Sequence, residues 1–71
     1  MVNSKKIKAK ARELGLSQAD IAKAMGLKQS TVNQKINNAR PMSLREAEVL
    51  ADTLQISDEE FAAYFFSNGV A

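Results

Sequence analysis

Apolar residues recur along this chain at helical intervals, in five short stretches divided by glycine, proline or serine. Ile7, Ala11 and Leu14 fall at i, i+4 and i+7, which predicts a first helix from Ser4 to Leu14, stopped by Gly15. Ile21, Ala22 and Met25 mark one buried face of a second helix over 18–25. Ser17 precedes it as an N-cap, with Asp20 three residues on in the helix-start pattern. Gly26 suits the C′ position, where a left-handed residue ends a helix at little cost. Only Leu27 and Lys28 then separate it from a third helix over 29–37, in which Val32 and Ile36 share a face. A turn that short forces the two helices into a tight, steeply crossed pair.

The rest of the chain follows the same grammar. Asn38 to Met42 is a loop, in which Pro41 pushes Arg40 toward an extended backbone. Ser43 and Glu46 have the spacing of a capping box for a fourth helix, whose predicted core face is Leu44, Ala47, Leu50, Ala51 and Leu54. Ser57 and Glu60 repeat that device for a fifth, and Asp58, Glu59 and Glu60 sit at the positive end of its dipole. Phe61, Tyr64 and Phe65 form its apolar face, with Phe66 beside it. Two readings of these aromatics stand: they finish the core, or some of Tyr64, Phe65 and Phe66 are exposed for self-association. Ser67 to Ala71 is expected to be a frayed polar tail. The pattern is all-α, with no sheet.

The third helix carries a second pattern. Ser30, Asn33, Gln34 and Asn37 are spaced i, i+3, i+4 and i+7 and line a face roughly 130° from Val32 and Ile36 on a helix of 3.6 residues per turn. An ordinary solvated face carries Glu and Lys; this one carries hydroxyl and amide groups, with Lys35 beside them. Side-chain amides donate and accept together, as bidentate reading of an adenine edge in the major groove requires. A solvated surface with no partner is the competing reading.

Composition narrows the choice. Seventy-one residues make one domain, 1–71, with a small core. Without cysteine or histidine, disulfides, Cys/His zinc sites and a Ser-His-Asp arrangement are excluded, and no catalytic residue, metal or cofactor is expected. No apolar run has the length of a signal peptide or a membrane span, so a soluble cytoplasmic protein is expected. The net charge of +2 hides an asymmetry: nine of ten Lys and Arg lie in residues 1–40, and six of eight Asp and Glu in residues 41–71. One end suits a polyanion and the other repels it. The lysines of the first helix, Lys5, Lys6 and Lys8 among them, are either a solvated face or phosphate contacts.

The stretch LGLSQADIAKAMGLKQSTVNQKINN, with its motif at about 17–38, is similar to the helix-turn-helix of the lambda repressor and Cro family of phage-type transcription regulators. The matching positions are Leu14 to Gln18, Ile21-Ala22, Met25-Gly26, Gln29-Ser30, Val32 and Ile36-Asn37. The resemblance covers roughly residues 5–66 and implies a five-helix lambda repressor-like DNA-binding domain. In that family the small residue matching Ala22 lets the helices approach and the glycine matching Gly26 makes the turn. The family's pattern implies that Gln29, Ser30, Asn33 and Gln34 face base edges and that Gln18 and Asn37 bind phosphate oxygens. Lys28 and Arg40 are further phosphate candidates, although Arg40 reads almost as well as a solvent-facing loop residue. Two positions depart from the pattern. Lys35 stands where leucine is usual, its stem expected over the core and its amine toward solvent or phosphate. Asn38 stands where glycine is common, though asparagine tolerates the left-handed conformation.

The function these features imply is sequence-specific binding of double-stranded DNA by a transcription regulator at the nucleoid of a bacterial host cell. A homodimer would place two recognition helices one DNA turn apart on a roughly palindromic operator. The rival is a protein-interaction module, such as an antitoxin or an anti-repressor partner, gripping a protein through its aromatic helix. An enzyme has little support, because the carboxylates are accounted for by caps and solvated faces.

Overall fold

In the computed structural model, which describes residues 1–66, each predicted helix forms. α1 spans Ser4–Glu13, α2 Gln18–Met25, α3 Gln29–Ile36, α4 Leu44–Thr53 and α5 Asp58–Phe65, and there is no strand among the described residues. The expected tail, Ser67 to Ala71, lies outside them.

The helix starts explain these boundaries. Asn3 caps α1, its side chain accepting from Lys6 N–H at 3.1 Å. At α2, Asp20 N–H donates to Ser17 Oγ at 3.1 Å and Ser17 N–H to Asp20 Oδ2 at 2.8 Å. These bonds hold the Asp20 carboxyl below its usual range, the Ser17 backbone N–H contributing most. Ser43 and Glu46 close the same reciprocal pair at α4, at 2.9 and 3.1 Å. The box expected at α5 does not form. Ser57 is the N-cap, but its hydroxyl donates to Glu60 Oε1 at 3.2 Å, and Glu60 N–H reaches back to the Ser57 carbonyl at 3.0 Å. A hydroxyl turned toward the carboxylate is not turned toward the backbone.

Ile7, Val32, Ile36, Leu50 and Leu54 are the most deeply buried side chains, from α1, α3 and α4 with its C-cap, and α2 and α5 add Ile21, Ala22, Tyr64 and Phe65 to the core. α2 packs on both α3 and α4, and α1 on α5. Tyr64 and Phe65 are buried in this core, so of the two readings of the aromatics they follow the first and do not serve as self-association contacts; Phe66 alone of the three is exposed, at 61%. Phe61 lies between, its ring centroid 4.7 Å from Phe65 and 5.7 Å from Phe66. Leu44 also departs from expectation, standing 58% exposed rather than on the core face. It is the first residue of α4, and periodicity gives its angle around the axis but not its height along it.

One packing contact has no periodic signal. Val2 is buried, and its N–H donates to Asn38 Oδ1 at 2.8 Å while Asn38 Nδ2 donates to the Val2 carbonyl at 3.0 Å. Asn3 N–H continues to the Tyr64 carbonyl at 2.7 Å, and Ser4 Oγ donates to the Ile36 carbonyl. The start of the chain thus ties the end of α3 to α5.

Candidate nucleic-acid interface

The turn between α2 and α3 fixes everything that α3 presents. Gly26 is left-handed at φ 68°, ψ 30°, and its N–H bonds back to Lys23 at 3.3 Å while Leu27 N–H reaches the Ala22 carbonyl at 3.0 Å. A Cβ at Gly26 would meet no atom within 4 Å, so the requirement is for φ rather than for space. Ala22 is buried where α2 meets the rest of the fold. Val32 at 0% and Ile36 at 2% exposure then anchor one face of α3.

The opposite face is open. Gln29, Ser30, Asn33, Gln34 and Asn37 are all exposed, as are Lys28 and Arg40. Gln18 is half-buried at the start of α2 and crosses to this face, its Nε2 donating to Asn33 Oδ1 at 3.4 Å. Asn37 Nδ2 donates to the same oxygen at 3.0 Å. The structure therefore joins three of the predicted positions in one amide network. Lys28 is the N-cap of α3 and offers no side-chain acceptor, so the helix start keeps N–H groups turned toward whatever lies in front of it. The backbone N–H groups of Ala39 and Arg40 fold back onto the Gln34 carbonyl at 2.8 and 3.2 Å, which sets the Arg40 loop beside the helix end.

Lys35 does not join this surface. Its Nζ lies 2.7 Å from both oxygens of Glu46, in a half-buried ion pair, in place of the solvent or phosphate expected of it. The Lys35 ammonium, and after it the Ser43 backbone N–H, holds the Glu46 carboxyl below its usual range. The pair ties α3 to the start of α4.

The cations of α1 divide in the same way. Lys6 sits over the Tyr64 ring, 4.9 Å from its centroid, and Lys10 pairs with Glu13 at 3.3 Å. Lys8 and Arg12 instead line a groove with Ser17 and Gln18, beside the α2 start. Arg12 carries no sequence signal for this position: only the folded chain brings it into one groove with Gln18. Between Asp20 and Glu46 the chain has no carboxylate at all. No group of three His, Cys, Asp or Glu capable of holding a metal occurs among the described residues, and no helix there is long and apolar enough to cross a membrane.

An exposed strip of neutral hydrogen-bonding groups, free of acids and flanked by cations that form no ion pair among the described residues, suits a surface bearing both phosphates and base edges. The comparisons agree with that chemistry. Residues 7–61 match a family model described as Helix-turn-helix. No solved structure matches the chain.

Proposed function

Because this chain belongs to the helix-turn-helix family of lambda repressor- and Cro-like DNA-binding regulators, we propose that it reads a specific sequence in double-stranded DNA and represses transcription there. Residues 1–71 act as one DNA-binding domain. α3 enters the major groove, with Gln29, Ser30, Asn33 and Gln34 against base edges. Gln18, Lys28, Asn37 and Arg40 take phosphate oxygens and fix the register, joined by Lys8 and Arg12 from α1. Lys35 leaves that set, because its charge is spent on Glu46. The observation that carries the reading is the division of α3: Val32 and Ile36 are sealed in the core while every amide of the strip faces outward.

The described residues extend 27 × 23 × 20 Å, whereas half-sites one turn apart are separated by about 34 Å. One copy covers one half-site, which supports a dimer on a roughly palindromic operator. Phe66, exposed beside Met1, Pro41 and Met42, is the aromatic left for that contact. The same exposure favours the second reading, a partner protein gripped at this end. Gel shifts on selected and random duplexes over a range of salt separate the two. A regulator holds its selected duplex at salt that strips it from random DNA; an interaction module shows only weak binding to both, lost together as salt rises.

A further inference from the structure

The amide of Asn33 is held in one orientation. Its Oδ1 accepts from Asn37 Nδ2 at 3.0 Å, one turn along α3, and from Gln18 Nε2 at 3.4 Å across the turn. A carbonyl oxygen has two lone pairs, so both are filled, while the two N–H bonds of Asn33 Nδ2 find no partner among the described residues. Rotating Asn33 alone by half a turn would set its NH2 group against two others. Each flanking amide also keeps a second N–H bond for a phosphate oxygen.

Building on the reading of α3 as the base-facing helix, we infer that Asn33 is a donor-only reader that selects guanine. An unrestrained asparagine pairs with adenine by accepting from N6 and donating to N7. That pairing needs Oδ1, which Gln18 and Asn37 occupy. Guanine presents two acceptors, N7 and O6, to match the two free N–H bonds; adenine would set its N6 amino group against Nδ2, and cytosine offers only a donor. Gln18 and Asn37 are thus positioning residues as well as phosphate ligands, since they set the polarity of the side chain between them.

Site selection from a random duplex library, run on the full 71-residue chain and on Asn33→Ala, locates the base pair whose preference collapses in the variant. Competition among the four base pairs at that position should then favour guanine over adenine by about tenfold or more. Asn37→Ala releases the nearer donor from Oδ1. It should weaken binding to every duplex and also narrow the guanine-to-adenine ratio, whereas a phosphate contact alone would leave that ratio unchanged and overturn the positioning role. Preference for any base other than guanine, or no base pair losing preference in Asn33→Ala, overturns the assignment while sequence-specific binding stands. A library that enriches no sequence overturns the DNA-reading role of α3 itself, and this inference with it.

Discussion

Lys28 and Lys35 stand at opposite ends of α3, and their surroundings give them opposite work. Lys28 is exposed and forms no ion pair among the described residues; Lys35 is half-buried against Glu46. Lys28→Ala should lower affinity for all duplexes and reduce the slope of log affinity against log salt by about 0.9. Lys35→Ala should leave that slope unchanged and lower stability instead, since it strands a half-buried carboxylate. Binding isotherms over salt, paired with denaturant melts, check both. Gln29→Ala, by contrast, should cost about 1–3 kcal/mol on the selected duplex and relax preference at one base pair; equal loss on random DNA would contradict its role. Glu46 adds a pH dependence. Its folded carboxyl titrates below the usual range, so its stabilisation is complete above the unfolded value and is lost as pH falls through the folded one. Glu46→Gln should therefore cost about 1 kcal/mol at neutral pH and flatten the acid limb of stability against pH. Parallel curves for the variant and the wild type would contradict this. From sequence, the exposed positions of the strip were legible, because Val32 and Ile36 fix the angle of every other side chain on α3. The Lys35 partner was not, because Glu46 already had a local reading as a cap and the pairing exists only once α3 and α4 pack.

At the scale of elements, four helices end on a left-handed residue: Gly15 at φ 72°, Gly26 at 68°, Asn38 at 63° and Gln55 at 57°. The first three were legible from residue type. Gln55 was not, since glutamine has no preference for that conformation and is held there by the bonds that close α4, its own N–H to the Asp52 carbonyl and Ile56 N–H to the Ala51 carbonyl. Gln55→Gly should accordingly stabilise the fold by about 1 kcal/mol, and Gly26→Ala should cost about 1–2 kcal/mol. Both are read in a thermal or denaturant melt. Gly26→Ala should leave DNA affinity per folded molecule nearly intact, because open space surrounds the added methyl group. The capping boxes at Ser17 and Ser43 formed as their spacing predicted, and that at Ser57 did not. The motif is the same in all three, and the direction a hydroxyl turns is settled by geometry that spacing does not encode.

Across the whole molecule, charge is divided along the chain. The stretch without carboxylates includes all of α3, while the acids gather on α4 and α5. Such a molecule meets a polyanion with its α2–α3 side first. Phe66 lies in a groove with Met1, Pro41, Met42 and Arg40, and Phe66→Ser should lower the cooperativity of binding to a palindromic duplex while leaving affinity for a single half-site unchanged. Equal cooperativity in wild type and variant would remove Phe66 from the dimer contact. The net division of charge was visible in the sequence. The clasp of Val2 and Asn38 was not, because a single apolar residue before the first helix has no period to betray it.

The role of α3 is tested most directly by titrating the isotopically labelled chain with its selected duplex and following side-chain and backbone amide resonances. The NH2 signals of Gln29, Asn33 and Gln34 should shift together with the backbone of α3 and the start of α2, whereas random DNA of equal length should move chiefly the backbone and the flanking cations. Perturbations centred on α5 and Phe66, with the α3 amides unmoved, would contradict it.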